Sequence, residues 1–149
     1  MLLDGINHVA IVTGDTDRLH KFYVDVFEAT IGADIPEGPG GRLSFVHVGP
    51  HTELNVFQAP PGTRFDYTAM FGRGPIDHLG LQAASKGAFD EIRRRLMACG
   101  AADDFVTDFG SHLSVFFRDP DGLECEVLVA NPNAVPGMTN PPGTRANGY

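Results

Sequence analysis

The sequence predicts an α+β fold made of two successive βαβββ modules, and three observations carry that prediction. Ile6-Asn7-His8-Val9-Ala10-Ile11-Val12 and Ile76-Asp77-His78-Leu79-Gly80-Leu81-Gln82 share one alternating pattern, with the histidine at the same place in each. Each is followed by an apolar stripe at helical spacing: Leu19, Phe22, Tyr23, Val26 and Phe27 in the first half, Phe89, Ile92, Leu96 and Cys99 in the second. Near the end, Asp119-Pro120-Asp121-Gly122 stands between two strand-like runs. Pro120 sets φ, the aspartates can bond their own backbone and Gly122 can take positive φ, so this is a tight hairpin turn.

Taken in order, the first strand (6–12) turns Val9 and Ile11 to one face and His8, Ala10 and Val12 to the other. Thr13-Gly14-Asp15 ends it, and Asp15 or Thr16 can cap the helix that follows. Strands are expected at 29–35, 43–48 and 52–59. In the last of these Leu54 and Val56 face away from Glu53, Asn55 and Phe57. Pro36-Glu37-Gly38-Pro39-Gly40-Gly41 has the glycines of a phosphate loop but lacks its Lys-Ser/Thr and helix start, so it reads as a mobile connection. A loop carrying Phe65, Tyr67, Met70 and Phe71 leads through Gly72-Arg73-Gly74-Pro75 into the second half.

There a strand at 76–82 precedes a helix at about 87–99, on which Asp90–Arg94 and Glu91–Arg95 can pair at i, i+4. The arginine run 93–95 is therefore a solvated helix face. Strands at 104–109, 112–117 and 123–129 complete the repeat, so module one spans about 5–59, a linker 60–75 and module two 76–130, all within one domain over 1–130. The tail 131–149 is rich in Pro and Gly, has no periodic apolar face and reads as an arm or disordered end.

Composition narrows the function. The 149 residues suffice for one core, and 19 acidic against 11 basic residues give a net charge of −8, which argues against a nucleic-acid partner. Neither a signal-like start nor a membrane-length apolar run occurs, and Cys99 and Cys125, both in patterns that look buried, read as reduced thiols. The expected location is the cytoplasm, with no membrane partner.

Four polar side chains occupy matching places in the repeat: His8 and His78 on the first strands, Glu53 and one of Glu124 or Glu126 on the last. Carboxylates on the inner face of an apolar strand are costly to bury without compensation, and a divalent ion would compensate them. If these faces meet, imidazole nitrogens and carboxylate oxygens converge in a set suited to one Zn, Ni, Co, Mn or Fe ion.

At these residues the chain resembles the vicinal oxygen chelate superfamily, which includes glyoxalase I, fosfomycin-resistance and bleomycin-binding proteins, methylmalonyl-CoA epimerase and extradiol dioxygenases. The resembling pieces are 7–12, 17–27, 52–54, 77–81 and the Phe116–Glu126 hairpin, spread over nearly all of residues 5–130. The resemblance implies two βαβββ modules forming a cupped mixed sheet, helices on its back, and a homodimer. It selects Glu126, four residues after the turn glycine, and implies metal ligands His8, Glu53, His78 and Glu126. It further implies an enzyme acting on a small-molecule substrate that chelates the ion through neighbouring oxygens. The favoured chemistry is lyase, isomerase or epimerase proton transfer, with Glu126 as the catalytic carboxylate and Glu53 as its alternate. Two other members of the family set the alternatives, a metal-independent binder of the bleomycin-resistance type and an Fe(II) extradiol dioxygenase. No counterpart of the glutathione-contacting residues of glyoxalase I is visible. From strand phase, Asn55 and Gln82 are expected to line the substrate cavity; His47 and His112 are expected either there or at exposed strand ends, and the apolar loop from Phe65 to Phe71 is expected at the mouth of the cleft.

Overall fold

The computed structural model describes residue 2 and residues 5–37 and 41–149. Met1, Leu3 and Asp4, and Gly38–Gly40 of the expected mobile connection, lie outside the described residues. The chain divides into two compact units, Met1–Asp66 and Tyr67–Tyr149.

The first unit contains β1 (His8–Thr13), α1 (Thr16–Phe27), β2 (Thr30–Glu37), β3 (Gly41–Gly49) and β4 (Thr52–Gln58). Its four-stranded sheet has the order β1-β4-β3-β2, with β1 parallel to β4 and the other pairs antiparallel. A parallel pair needs a long crossover, which α1, β2 and β3 provide. Asp15 caps α1, accepting from the Arg18 N–H at 3.0 Å. The helix buries Leu19, Tyr23 and Val26 and lies against β2, β3 and β4, whose Val46, Leu54 and Val56 are fully buried. The opposite face of the sheet carries His8, Ala10, Val12, Glu53, Asn55 and Phe57, none of them buried.

The second unit repeats the plan with β5 (Leu79–Gln82), α2 (Lys86–Ala98), β6 (Thr107–Asp108), β7 (His112–Arg118) and β8 (Glu124–Ala130), in the sheet order β5-β8-β7-β6. Ser85 caps α2 by accepting from the Ala88 N–H at 3.1 Å. Phe89 and Leu96 of that helix are buried, as are Leu113, Val115, Phe117, Cys125, Val127 and Val129. Each unit thus has the expected βαβββ order around its own mixed sheet. Among the described residues no helix is long and apolar enough to cross a membrane.

Five expectations need correction. The strand expected at 76–82 starts at Leu79, because its partner β8 begins at Glu124 and the turn before it leaves nothing for Ile76 to pair with. The strand expected at 104–109 shrinks to two residues, because the tail takes over its edge. Thr107 bridges Arg145, the Asp108 N–H donates to the Thr144 carbonyl at 2.8 Å and the Ala146 N–H to the Val106 carbonyl at 2.9 Å. The tail is therefore packed rather than an arm or a disordered end: Ala146 is buried, and the Tyr149 ring meets Phe89 edge-on beneath the Lys86 ammonium. Cys99, at the end of the α2 stripe, is exposed, and neither it nor Cys125 forms a disulfide. On the arginine face, Glu91 pairs with both Arg94 and Arg95, while Asp90 takes Lys86 instead.

Candidate metal centre

In the first unit the parallel register places His8 opposite Glu53, and the antiparallel register on the other side places His47 opposite the same glutamate. His47 lies within β3, inside the strand expected at 43–48. Its Nδ1 is 3.4 Å from Glu53 Oε2, and its ring lies over Gly32, where a Cβ would come within 2.7 Å of Nε2. His8 is exposed, and its Nδ1 is 2.8 Å from Asn7 Oδ1. Asn55, one step further along the face, is half-buried, and its Oδ1 is buried with no hydrogen-bond partner among the described residues.

In the second unit His78 stands just before β5, on the side of Gly80, which pairs with Glu126. His78 Nε2 is 3.4 Å from Glu126 Oε2, and the ring packs edge-on against Phe116. On the other side of the ring, Nδ1 is 2.9 Å from Asp77 Oδ2. Asp77 Oδ1 accepts from the Phe71 N–H. The His78 hydrogen bond first, then that N–H and the Arg73 guanidinium, hold the Asp77 carboxyl below its usual range.

Glu124 and Glu126 share a face, and both are buried. Their partners differ. Glu124 Oε2 accepts from Arg73 Nη2 at 2.9 Å and Arg118 Nε at 3.0 Å, an ion pair that balances its charge within the protein. Among the described residues no guanidinium stands against Glu126; Oε1 accepts from the Ser114 hydroxyl at 2.5 Å and Oε2 faces His78.

The chemistry of that last contact is specific. An ionised Asp77 can only accept, so Nδ1 carries a hydrogen, and in a neutral ring Nε2 presents a lone pair. That lone pair meets a carboxylate oxygen, and two acceptors are held together only by a shared proton or a cation. Ligands about 2.1 Å from a tetrahedral ion stand about 3.4 Å apart, so the pair fits one edge of a coordination shell. Among the described residues no group of three or more His, Cys, Asp or Glu side chains is placed to hold a metal ion.

The expected cavity residues are distributed more widely. Gln82 donates its amide to the Ala83 and Leu128 carbonyls. His112 opens β7 opposite Ala130, four residues from the Phe116–Glu126 pair and so about 13 Å along the strand. Phe65 is exposed, and Phe71 is 82% exposed with a left-handed φ of 65°. Sequence reasoning missed Asn7, Asp77, Ser114 and Arg73. For the first two the signal was present as a hydrogen-bond acceptor immediately before each histidine.

Residues 5–127 match the family model described as Glyoxalase/Bleomycin resistance protein/Dioxygenase superfamily. A glyoxylase/bleomycin resistance protein/dioxygenase domain from Frankia sp. EAN1pec is similar in structure, at 20% identity over 87% of this chain and 94% of that one, with a TM-score of 0.72. A glyoxalase family protein from Enterococcus faecalis is 22% identical over 86% and 99% of the two chains, TM-score 0.67. The fosfomycin resistance protein FosX from Listeria monocytogenes, solved with Mn(II) and a sulfate ion, is 15% identical over 87% and 95%, TM-score 0.62. No curated protein matches the chain by sequence.

Proposed function

The chain belongs to the Glyoxalase/Bleomycin resistance protein/Dioxygenase superfamily, and we propose that within it the protein is a divalent-metal enzyme acting on a small substrate with two neighbouring oxygens. His8, Glu53, His78 and Glu126 are the proposed ligands of one ion, and lyase, isomerase or epimerase proton transfer is the proposed reaction. The observation that carries this reading is the His78 Nε2–Glu126 Oε2 contact, in which an imidazole nitrogen faces a carboxylate oxygen at 3.4 Å with no guanidinium among the described residues to neutralise it. Structures of FosX from Listeria monocytogenes with Mn(II), and of a variant of it with Mn(II) and 1S,2S-dihydroxypropylphosphonic acid, support a divalent ion and make manganese the first to try.

When bound, the ion supplies a Lewis acid for the substrate oxygens. The chain's own residues supply the rest. Ser114 holds Glu126 Oε1 and so fixes the carboxylate that takes a proton from the substrate and returns it, with Oε2 turned toward His78. Gly80 leaves room beside that oxygen, since a Cβ there would stand 3.9 Å from Oε2. Glu53, more open and within reach of His47, is the alternate proton carrier.

A second reading draws on the lack of a three-residue ligand group among the described residues, and makes the protein a metal-independent binder of the bleomycin-resistance type. Metal analysis of purified protein separates the two. Native protein is expected to retain or take up about one ion per chain, and His78→Ala and Glu126→Gln to lose it, while Glu124→Gln keeps it. Equal metal content in native, His78→Ala and Glu126→Gln protein would overturn the enzyme reading. A screen of metal-loaded protein over hemithioacetals, acyl-CoA epimers and catechols then assigns the reaction, ring cleavage with Fe(II) marking a dioxygenase. A cytoplasmic homodimer is part of the same proposal, and light scattering of the eluted protein tests the dimer.

A further inference from the structure

Outside the proposed ligands, the least ordinary feature of the two histidines is the residue before each. Asn7 Oδ1 lies 2.8 Å from His8 Nδ1, and Asp77 Oδ2 lies 2.9 Å from His78 Nδ1. Both contacts use the same ring nitrogen, join neighbours in the chain and recur in both units. Neither acceptor can donate from the oxygen concerned, so in a neutral ring each draws the hydrogen to Nδ1 and leaves Nε2 as the lone-pair nitrogen, the 2.9 Å contact of Asp77 outweighing Glu126 Oε2 at 3.4 Å from His78 Nε2. In the second unit the acceptor is itself held in place. The backbone N–H of Phe71 donates to Asp77 Oδ1, and Arg73 Nη1 donates to the Asp77 carbonyl at 3.1 Å. Phe71 makes its contact from a left-handed backbone conformation that a non-glycine residue adopts at a cost. The aromatic loop, expected from sequence to line the cavity, therefore has a second task at its end, holding Asp77.

We propose that Asp77, and Asn7 as its uncharged counterpart, are positioning residues that lock His78 and His8 in the Nδ1–H tautomer so that Nε2 is presented to a divalent ion. The inference rests on the metal reading given above. A carboxylate or amide bonded to the far nitrogen of a metal-binding histidine fixes its orientation and raises its basicity, and losing such a partner costs about 10–100-fold in metal affinity. The two units differ in strength, because a carboxylate raises the basicity of the ring more than a neutral amide does. Asp77→Ala should therefore weaken binding more than Asn7→Ala, and Asp77→Asn should fall between native and Asp77→Ala.

The test reads the tautomer and the affinity separately. Long-range ¹H–¹⁵N NMR of metal-free protein at about pH 9 reports which ring nitrogen of a histidine carries the hydrogen. Native His78 is expected to be Nδ1–H, Asp77→Ala to shift it toward Nε2–H, and Asp77→Asn to restore it. Titration of the same samples with Mn²⁺ and Zn²⁺ is expected to show the graded loss of affinity, with a melting temperature for each variant to confirm that it is folded. A native His78 already protonated on Nε2, or a tautomer unchanged in Asp77→Ala, would overturn the inference while leaving the metal reading standing. A shifted tautomer with unchanged metal affinity in a folded variant would overturn it as well. If native protein binds neither ion, the metal reading fails, and the role of Asp77 toward an ion falls with it.

Discussion

In the first unit the histidine at the strand entrance is exposed and leans on an amide, and the glutamate opposite it is 30% exposed beside a second histidine. In the second unit the equivalent histidine is half-buried and leans on a carboxylate, and the two glutamates of β8 are buried, one against two guanidiniums and one against a serine hydroxyl. Two copies of one plan therefore handle charge in opposite ways. The first leaves its polar groups to solvent, where they cost little and are weakly fixed. The second withdraws them from solvent, so each needs a specific partner and each is held in one orientation. The surface ion pairs point the same way: Arg42 joins Asp34 and Asp17 at the open surface of the first unit, while Arg73 joins Glu124 inside the second.

That contrast is most exposed to failure at the arginines. Removing both guanidiniums strands the buried Glu124 charge, so Arg73→Ala combined with Arg118→Ala should lower stability by about 3–5 kcal/mol. Arg42→Ala, whose partners are partly solvated, should cost about 1 kcal/mol or less. Urea unfolding of the two variants decides it, and similar small losses would show that Glu124 is better solvated than its burial indicates.

The hairpin turns offer the next comparison. The first unit turns at Gly49-Pro50-His51 with no carboxylate, whereas burial pushes the Asp119 carboxyl of the second up from 3.8 to about 6, despite the Asp121 and Leu123 N–H groups that donate to Oδ1 at 2.9 Å. A carboxyl raised in the folded state costs nothing while it is protonated in both states and costs its full penalty above the folded value. The native protein should therefore lose about 3 kcal/mol as pH rises from about 3.5 to 8 through this group. Asp119→Asn keeps an acceptor for both N–H groups without the charge. Its stability relative to native should rise by that amount over the same interval, and a pH-independent difference between the two would refute the assignment.

A smaller effect separates the two neutral partners on the polar faces. Ser114→Ala leaves Glu126 Oε1 buried without a donor and should cost about 1–3 kcal/mol. Asn55→Ala removes an oxygen that already has no partner, so stability should change by about 1 kcal/mol or less while substrate binding or turnover weakens. A large loss of stability with unaltered kinetics would place Asn55 in the structural interior instead.

Much of this was legible in the residues. Alternation alone put Leu54 and Val56 on the buried face and Glu53 and Asn55 on the other, and the helix stripe located Leu19, Tyr23 and Val26. The capping role of Asp15 and the positive φ of Gly122, 87°, followed from side-chain chemistry within a few residues. The tail was misread because its contacts are backbone hydrogen bonds to the edge of β6 and one aromatic ring at Tyr149, neither of which leaves a periodic apolar pattern.

By itself, then, the sequence determined the order of elements, the two repeats and the face on which each polar residue lies, because strand and helix periodicities are local properties of the backbone. The difference between Glu124 and Glu126 was decided only in three dimensions. Two residues apart on one strand, they are equivalent to any argument from phase. What separates them is Arg73, 51 residues away in the chain, and Ser114 on the neighbouring strand. Which buried carboxylate is neutralised by the protein and which is left facing a histidine depends on contacts between distant residues, and no local pattern encodes those.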